Sequence, residues 1–401
     1  MKKTAIMYGA GNIGRGFIAQ LFYMSGYETV FIDIDDNIIN LINQKKSYPL
    51  YITSFDRYNI CEINNVSAIN ANNEQAFTEL FLTSDLLATA VGVNVLPKIV
   101  DNLVMGLKYR WKNGNFNPFN VLICENLVDS DQYLAKLICE KLTDEEISIL
   151  NKTVGFIQTS VSRMVPSTPK DILQINPLII CVEPYHILPV DKDRFKGEIP
   201  MIYGMKPYSS FDFYIKRKLF MHNMAHSVCA YLGYIYKYEY IWQAVEDPQI
   251  NKVVLGALEQ SAAALSRQFD IPMDELKTYY EDLIERFKNK LLRDTVKRVG
   301  RDPIRKLASN DRLIGACLMC YNNNILPLYI SIGIAAALLF NDSSDPAAVE
   351  IYTTVNEIGV KNTLEFYSGV ELSDKLILLI NKIYNALRMN ISLDKILELY
   401  K

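Results

Sequence analysis

The first half of the chain alternates short, continuous apolar runs with segments whose apolar residues recur every three or four positions. The runs predict β-strands, and the segments that follow them predict amphipathic helices. The predicted strands are TAIMYGAG, ETVFIDID, SDLLATAVG, FNVLICEN and TVGFIQTSVSRMV. The helices after the first four are NIGRGFIAQLFYMSG, NIINLINQ, LPKIVDNLVMGLKYRW and SDQYLAKLICEKL. Because strands buried on both faces read as continuous apolar runs, the pattern predicts an α/β, Rossmann-type doubly wound sheet.

The period of the pattern changes near residue 205, and strand-like alternation almost disappears beyond it. Long segments such as NKVVLGALEQSAAALSRQF and DELKTYYEDLIERFKNKLL repeat their apolar positions at three and four. A chain of 401 residues is long enough for two domains that each bury a core. We therefore predict a dinucleotide-binding domain over residues 1–203 and an all-α C-terminal domain over residues 204–401, which carries the catalytic and substrate-binding groups.

Composition limits the partners of the chain. Half of its residues are apolar and its formal net charge is −3, so nothing indicates binding to nucleic acid or to an anionic membrane. The apolar run at 325–340 contains Pro327 and Gly333 and is shorter than the roughly 20 residues of a membrane span, which favours a buried helix. The N-terminus lacks the apolar region of a signal peptide, and the seven scattered cysteines are typical of reduced thiols. We expect a cytoplasmic protein, monomeric or weakly self-associating, whose partner is a small molecule.

A glycine-rich turn joins the first predicted strand to the first predicted helix. Gly9, Gly11 and Gly14 have the GxGxxG spacing of dinucleotide-binding turns in the required strand–helix context. The first glycine allows a tight turn, the second lets the backbone approach a pyrophosphate, and the third lets helix and strand pack closely. Free N–H groups and the helix dipole would attract the phosphates. The predicted cofactor-binding residues of this turn are Gly9, Ala10, Gly11, Asn12, Ile13 and Gly14.

Asp33, near the end of the second predicted strand, is expected to select between NAD and NADP. A carboxylate at this position can accept hydrogen bonds from both ribose hydroxyls and repels a 2′-phosphate, so we predict NAD. Arg15 follows the last glycine and is the opposing signal, because a basic side chain there could accept the phosphate of NADP. The alternative to a cofactor site is an ordinary glycine-rich turn with an aspartate at the surface.

A predicted helix in the second half carries the segment KLFMHNMAH, with Lys218, Asn223 and His226 at intervals of five and three. At about 100° per residue, the amide lies roughly 140° and the imidazole roughly 80° around the helix from the amine. One helical face could therefore present all three groups to the same cavity. Asn126 follows the strand FNVLICEN, at the sheet edge where open α/β folds bind ligands.

This set of groups suits removal of a proton from an alcohol while a hydride leaves its carbon. Lys218 is the candidate general base, and the amides of Asn126 and Asn223 could donate to the developing oxyanion. His226 could orient the substrate hydroxyls. A free lysine has a pKa near about 10.4, so this base needs a shift of about three units, or roughly 4 kcal/mol, to act at neutral pH. The alternatives are a solvated KRK run, an incidental asparagine and a core histidine.

Basic residues cluster in the segment KRVGRDPIRKLASNDR. Arg298, Arg301 and Arg305 are predicted to bind a phosphate or carboxylate of the substrate, because the arginine fork suits either oxyanion. A predicted helix N-terminus at Pro303, capped by Asp302, would add to this attraction. The alternative is a solvated helix start.

No metal ligand set is predicted. His222 and His226 lie four residues apart, but the glutamate of the zinc-binding motif HExxH is missing. Cys317 and Cys320 share a helix face in an apolar segment, with no second CxxC and no nearby histidine, so we interpret them as buried structural thiols. A metal-free mechanism with lysine as the base is the simpler hypothesis.

The chain resembles the polyol-specific long-chain dehydrogenases over nearly its whole length. The matching segments are GAGNIGRGF, TAVG, CEN, KRKLF, N-x-x-H, AYLG and RVGRDPIRKL-x(3)-DRL. The resemblance implies a zinc-independent, NAD-linked oxidoreductase with a Rossmann domain and a helical C-terminal domain. It also implies that Lys218 is the catalytic lysine, that Asn126 and Asn223 flank the reacting oxygen, and that His226 binds substrate.

Two departures from the family pattern bear on the substrate. Ser162 replaces an aspartate that contacts the sugar chain in relatives, and a serine cannot offer a bidentate anionic acceptor. His222 lies inside the lysine–asparagine interval. The resemblance implies interconversion of D-mannitol 1-phosphate and D-fructose 6-phosphate. Reduction of a hexuronate such as fructuronate or tagaturonate, or NAD binding by a catalytically silent regulator, are the alternative functions.

Overall fold

The computed structural model describes residues 3–54 and 56–400, and its internal contacts divide the chain after Ile215. The first unit contains all the strands of the described residues, and the second contains helices only. The predicted Rossmann-type domain followed by an all-α domain is therefore confirmed. The strand Met205–Tyr208 pairs with Leu188–Asp191, so it belongs to the first unit although it follows residue 204.

The strands and helices of the first unit are short, as expected for alternating α/β structure. The strands are β1 (Thr4–Tyr8), β2 (Glu28–Asp33), β3 (Ser47–Ser54), β4 (Arg57–Asn64), β5 (Val66–Asn70), β6 (Leu86–Thr89), β7 (Phe119–Ile123), β8 (Val154–Gln158), β9 (Ile180–Val182), β10 (Leu188–Asp191) and β11 (Met205–Tyr208). The helices are α1 (Ala19–Met24), α2 (Asp36–Lys45), α3 (Glu74–Thr83), α4 (Val100–Lys112), α5 (Ser130–Cys139), α6 (Asp144–Thr153), α7 (Lys170–Leu173) and α8 (Asp212–Arg217), whose last residues lie in the second unit. A π-helical segment, Gly14–Ile18, precedes α1.

The main sheet has six parallel strands in the order β5-β2-β1-β6-β7-β8. The chain adds β2 and then β5 on one side of β1, and it adds β6, β7 and β8 in turn on the other side. The direction in which the sheet grows therefore reverses between β1 and β6. In open α/β sheets a ligand binds outside the carboxyl ends of the strands at such a switch point. The turn after β1 and the turn after β6 therefore mark the expected cofactor edge.

Both faces of the central strand are buried. In β1, Ala5 and Met7 pack into the apolar cluster on one side of the sheet, and Ile6 and Tyr8 pack into the cluster on the other. This explains the continuous apolar run, since neither face of the strand meets water. Each large side chain buried here stabilises the fold by roughly 1.5–3 kcal/mol relative to exposure.

The antiparallel pair β3–β4 lies in a stretch for which the apolar pattern predicts no element. Its register runs from Ser47 opposite Asn64 to Ser54 opposite Arg57, and β9 extends it to three strands. Strand β4 is mostly exposed, so polar side chains occupy both of its faces and no alternation marks it. The short strand β5 and the helix α3 were missed as well.

The second unit consists of helices packed around buried apolar faces. They are α9 (Met224–Ile235), α10 (Ile241–Glu246), α11 (Pro248–Phe269), α12 (Met273–Phe287), α13 (Val296–Gly300), α14 (Pro303–Lys306), α15 (Ile314–Asn322), α16 (Leu328–Leu338), α17 (Pro346–Ser368), α18 (Asp374–Arg388) and α19 (Leu393–Glu398). A π-helical segment, Lys218–Asn223, joins α8 to α9 without a break.

The apolar run at 325–340 forms α16, whose residues from Ile330 to Leu338 are buried, as the sequence predicted. Within residues 3–54 and 56–400, no helix has both the length and the apolarity to cross a membrane. Cys317 and Cys320 are both buried residues of α15, as the sequence predicted. Burial raises the pKa of the Cys317 thiol to about 12.

Candidate active site

The turn after β1 has the geometry that the glycine spacing predicted. Gly9 has φ +104°, and a Cβ on it would stand 2.6 Å from the carbonyl oxygen of Ala90. A Cβ on Gly14 would overlap the carbonyl oxygen of Gly9, so a larger residue there would separate the helix from the strand. No atom lies within 4 Å of the place that a Cβ on Gly11 would occupy. The turn is therefore tight at its ends and open in its middle, as a pyrophosphate requires.

Asp33 lies at the end of β2 and holds the same turn. Its Oδ2 accepts a hydrogen bond from the backbone N–H of Ala10 at 2.7 Å, and its Oδ1 accepts from Ile34 and Asp35 at 2.7 and 3.1 Å. The carboxylate is thus fixed beside the glycine-rich loop by three backbone donors. An anionic acceptor fixed at this position suits ribose hydroxyls and disfavours a phosphate.

Arg15 is buried and points into the protein. Its Nε donates to the carbonyl of Ala10 at 2.6 Å, and a terminal nitrogen donates to the carbonyl of Leu178 at 2.9 Å. Burial lowers the pKa of this guanidinium, which nearby acids offset in part. The side chain that sequence suggested as a partner for a 2′-phosphate is therefore used to brace the loop. Asn12 contributes a further, longer bond from its amide to the carbonyl of Pro166, at 3.4 Å.

Glu125 is a residue that the sequence analysis missed. It follows β7, is buried, and accepts hydrogen bonds from Thr89 Oγ1 at 2.6 Å and from the N–H of Val91 at 2.9 Å. Burial raises the pKa of its carboxyl, against these hydrogen bonds. The carboxyl ties the turn after β6 to the segment that carries Asn126, an exposed residue at the carboxyl edge of the sheet. Its position inside the CEN motif was the available signal.

Ser162, the departure from the family pattern, is buried beyond the end of β8. Its neighbour Arg163 donates to the carbonyls of Glu183 and Gly16, at 2.8 and 3.1 Å, and to Gln20 Oε1 at 2.5 Å. The segment that contains the serine is therefore anchored to the helix that follows the glycine-rich turn.

The segment with Lys218 and Asn223 is a π-helix, which corrects the angles derived for an α-helix. In a π-helix the hydrogen bonds run from i to i+5, so residues five apart lie on the same side of the helix, as residues four apart do in an α-helix, instead of about 140° apart. His226 lies three residues further, in the first turn of α9, and remains on the face of Asn223. The amine, amide and imidazole therefore share one face more closely than the sequence predicted.

Two buried serines stabilise this π-helical turn. Ser261 Oγ, from α11, donates to the carbonyl of Phe220 at 2.6 Å, and Ser227 Oγ donates to the carbonyl of Asn223 at 2.9 Å. Both hydroxyls are fully buried and satisfy carbonyls in the segment where the α-helical bonding pattern is interrupted. The irregular turn is thus fixed by side chains and does not depend on its own backbone alone.

His226 is enclosed by a ring and a carboxylate. The Phe287 ring stacks on the imidazole with centroids 4.7 Å apart and planes at 20°, and Asp294 Oδ2 lies 3.3 Å from Nε2. Burial lowers the pKa of His226, and Asp294 opposes this shift. His222 is buried on the same helix, and burial together with Arg286 and its other cationic neighbours holds its pKa well below the ordinary value.

The basic cluster is not a uniform anion-binding face. Arg298 is held by Asp294 through two hydrogen bonds of 2.6 and 2.7 Å. Arg305 pairs with Asp302 and with Asp311, each at 3.0 Å. Two of the three predicted arginines therefore have carboxylate partners inside the protein.

Arg301 differs from these two arginines. It is exposed, and no carboxylate among the residues described for this unit pairs with its guanidinium. Its carbonyl accepts a hydrogen bond from Lys306, whose amine is buried and whose pKa is held well below the ordinary value by burial. The helix α14 has only four residues, and its N-terminus is capped by Asp302, as predicted. That cap places a carboxylate where an anion was expected and occupies the N–H of Arg305.

No group of three or more histidine, cysteine, aspartate or glutamate side chains is arranged to hold a metal ion within residues 3–54 and 56–400. Every cysteine of the chain is a free thiol.

Two family models match the chain, one for each part. Residues 3–204 match the mannitol dehydrogenase Rossmann domain, and residues 210–390 match the mannitol dehydrogenase C-terminal domain. The chain is 38% identical to a mannitol-1-phosphate 5-dehydrogenase of Oceanobacillus iheyensis over 391 residues, which covers 96% of this chain and 98% of that protein. It is 36% identical to the Geobacillus stearothermophilus protein of the same name, with coverage of 96% and 100%.

Solved structures show the same fold at lower identity. The ternary complex of Pseudomonas fluorescens mannitol 2-dehydrogenase with NAD and D-mannitol superimposes with a TM-score of 0.80 at 16% identity, over 99% of this chain and 94% of that one. A substrate-free D-sorbitol dehydrogenase gives a TM-score of 0.82, also at 16% identity, over 98% and 94%. At this identity the likeness establishes the fold alone.

Acidification is expected to destabilise the protein through His222. Its ring stays neutral in the folded state because its pKa is lowered, whereas the unfolded ring binds a proton below about pH 6.5. Above about pH 6.5 the ring is neutral in both states and His222 does not lower the free energy of unfolding. Below that pH the free energy of unfolding falls by up to about 1.4 kcal/mol per pH unit. Urea unfolding of the wild type and of His222→Gln, each at about pH 7.5 and about pH 5.5, should show a smaller loss of unfolding free energy in the variant.

The control is His186→Gln, which replaces a half-buried ring stacked on Tyr203 and should lose as much unfolding free energy as the wild type. Equal losses in the wild type and His222→Gln would contradict the expectation.

Proposed function

Because the chain belongs to the mannitol dehydrogenase family, we propose that it interconverts D-mannitol 1-phosphate and D-fructose 6-phosphate by hydride transfer with NAD. The observation that carries the proposal is the 36–38% identity, over almost the full length of both chains, to proteins named mannitol-1-phosphate 5-dehydrogenase. The resemblance to polyol dehydrogenases seen in the sequence is confirmed by the same matches. The substrate and the roles of individual residues are parts of the proposal.

The turn after β1 fits a dinucleotide. The open space at Gly11 leaves room for a pyrophosphate. Its phosphates would meet backbone N–H groups between Gly11 and Gly14, because those of Gly9 and Ala10 already donate to Ile32 and Asp33. Asp33 would hold the ribose hydroxyls, and the Arg15 guanidinium already donates to the carbonyls of Ala10 and Leu178, so it is not free to hold a 2′-phosphate. NAD, when bound, supplies the acceptor for the hydride that leaves the alcohol carbon.

In the proposed reaction Lys218 Nζ takes the proton of the alcohol oxygen as the hydride leaves, and returns it in the reverse direction. The side-chain amides of Asn126 and Asn223 donate to this oxygen while negative charge develops on it. His226 accepts a hydrogen bond from another substrate hydroxyl and so fixes the sugar chain. The shared face created by the π-helical turn supports the grouping of the three residues of the second unit.

Arg301 is the arginine of the cluster best suited to the phosphate. The carboxylates of Asp294, Asp302 and Asp311 already neutralise the other two predicted arginines. An arginine without such a partner can give its fork to a phosphate without first breaking an ion pair. Arg298 and Arg305 would then stabilise the conformation of this segment through their ion pairs, and Arg301 would bind the phosphate directly.

Replacement of Lys218 is expected to remove turnover and to spare cofactor binding. Lys218→Ala should lower kcat for NADH-dependent reduction of fructose 6-phosphate by about 10²- to 10⁴-fold, because the proton transfer loses its acid–base group. The Kd of NADH, measured by fluorescence titration, should change less than about twofold. The matched control is Lys252→Ala, which removes an exposed lysine of the same unit that pairs with Asp394 at 2.8 Å.

The same assay separates the alternative functions. The wild type should reduce fructose 6-phosphate faster than fructuronate or tagaturonate; negligible rate on the phosphate with turnover of a ketouronate would identify a hexuronate reductase. NADH binding with no turnover of any of these substrates would identify a regulator. Full activity of Lys218→Ala would refute the assignment of the base.

Asp33 is expected to set the preference for NAD. Asp33→Asn keeps an oxygen that can accept from the backbone, but it removes the charge that repels a 2′-phosphate. The ratio of kcat/KM for NAD(H) over NADP(H) should fall by about 10- to 100-fold, as expected for loss of a charged hydrogen-bond acceptor. Asp35→Asn is the control, because Asp35 caps α2 through Asn37 and Ile38. A wild-type enzyme saturated by NADP(H) at tenfold lower concentration than NAD(H) would overturn the cofactor assignment.

Arg301 is expected to recognise the phosphate specifically. Arg301→Gln should raise the KM for fructose 6-phosphate by about 10- to 100-fold, since a charge-assisted pair contributes about 1.5–3 kcal/mol. We expect unphosphorylated fructose to react more slowly in the wild type and to be unaffected by the substitution, so the preference for the phosphate should shrink by the same factor. Arg267→Gln, at an arginine of the same unit that donates to the carbonyl of Asn323, should leave both substrates unchanged. An unaltered preference in Arg301→Gln would remove this residue from the site.

A further inference from the structure

We propose that Asp294 is a positioning residue, which holds the His226 imidazole as the Nε2–H tautomer and leaves Nδ1 as the acceptor for a substrate hydroxyl. The proposal rests on the assignment of His226 to substrate binding in the proposed function. It adds a carboxylate that no sequence motif indicated. It also gives Arg298 a different task from the substrate contact that the sequence predicted.

The geometry links three side chains in a row. Asp294 lies just before α13, and its Oδ2 is 3.3 Å from His226 Nε2. The guanidinium of Arg298, one turn further along, holds both oxygens of the same carboxylate at 2.6 and 2.7 Å. Both side chains are largely buried, with exposed fractions of 6% for Asp294 and 11% for His226. A buried carboxylate held by two hydrogen bonds cannot turn away from the ring without losing its arginine partner.

The environment of the ring limits its orientation. Phe287 lies against its face, with the planes only 20° apart, and Nε2 is sealed from solvent. The carboxylate approaches Nε2 away from the ideal N–H direction, so the attraction between the anion and the N–H dipole of the neutral ring contributes more than hydrogen-bond alignment. An ionised carboxylate can only accept a proton donor. The nitrogen that faces it must therefore carry the hydrogen, and the other nitrogen of a neutral ring must be an acceptor.

The charges around the pair keep both groups in these protonation states. Burial alone would raise the pKa of Asp294, but His226 and Arg298 outweigh it and lower the pKa to about 2. The ring faces this carboxylate together with the cationic Arg298 and Arg312 and the imidazole of His222. Burial and these cations lower the pKa of His226, so the ring is neutral when the carboxylate is ionised. A neutral ring can accept a hydrogen bond from a hydroxyl, whereas an imidazolium cannot.

The tautomer can be measured without any substrate. The chain has three histidines, so long-range ¹H–¹⁵N correlation spectra of the full protein should show three ring systems, with His226→Gln to assign one of them. At about pH 7.5 the His226 ring should show the Nε2–H pattern in the wild type. In Asp294→Asn this pattern should weaken toward a mixture of tautomers, and the pKa of the ring should fall further. A wild-type ring that is protonated at Nδ1 alone would overturn the proposal, even if the variant does not fold.

Kinetics provide the second measurement. Asp294→Asn should lower kcat/KM for fructose 6-phosphate by about 10- to 100-fold, the range found when a partner that orients a histidine is removed at metal sites. Most of the change should appear in KM, and the Kd of NADH should stay within twofold. Asp294→Glu, which restores a carboxylate, should recover part of the loss.

The matched control is Asp342→Asn. Asp342 has as little exposed surface as Asp294 and pairs with Lys297 at 3.2 Å, and the bonds of its side chain within the described part of the chain are to Lys297 and Ser344, not to His226. This variant should keep the wild-type tautomer and KM; an equal rise in KM in both variants would reduce Asp294 to a structural role and refute the proposal. If the wild type does not turn over fructose 6-phosphate at all, the proposed function fails, while the tautomer measurement still tests the Asp294 proposal.

Discussion

The close approach of the turn after β1 to the end of β6 is the constraint on which the first unit depends. The carbonyl of Ala90 occupies the space where a side chain on Gly9 would lie, so the turn can pack there only with glycine. Asp33 then holds the N–H of Ala10 from β2, and Arg15 holds its carbonyl from the following helix. A loop braced from both sides is ordered in advance, so less conformational entropy would be lost when a polyanion binds.

In the second unit, the candidate site residues Lys218 and Asn223 lie on an irregular, π-helical turn. A π-helical turn is less common than an α-helical turn, and such turns occur often at functional sites. Here the hydroxyls of Ser227 and Ser261 satisfy carbonyls of the turn from inside the core. Lys218 and Asn223 lie on the same side of the helix because of this turn, which an α-helix would not give to residues five apart.

The sequence predicted the parts of the fold that follow from burial and from local turn chemistry. Strand β1 is buried on both faces and reads as one apolar run, and the αL-like turn at Gly9 needs glycine. It did not predict β4, because an exposed strand carries no apolar period. The π-helical turn was also missed, since its cause lies partly in Ser261, a residue distant in sequence from the turn.

The candidate site could be predicted at the level of residue types, but the pairing of charges could not. Six basic residues in one segment look alike in sequence, yet the structure gives Arg298 and Arg305 carboxylate partners and buries Lys306. Such pairing depends on aspartates placed by the fold, and no spacing rule identifies which arginine remains available. The predicted set of three therefore contains two different kinds of residue, two arginines that are paired inside the protein and one that is exposed.

This division also decides which groups can balance the charge of a substrate phosphate. His222 and His226 are buried with lowered pKa values, so neither adds positive charge at neutral pH. The charge of Arg298 is offset by Asp294, an ion pair that this unit needs in order to keep a carboxylate buried. A dianionic phosphate would require a cation that is not already committed, which favours Arg301. The same reasoning explains why a neutral polyol could bind the histidine–amide face while the phosphate adds selectivity through a separate contact.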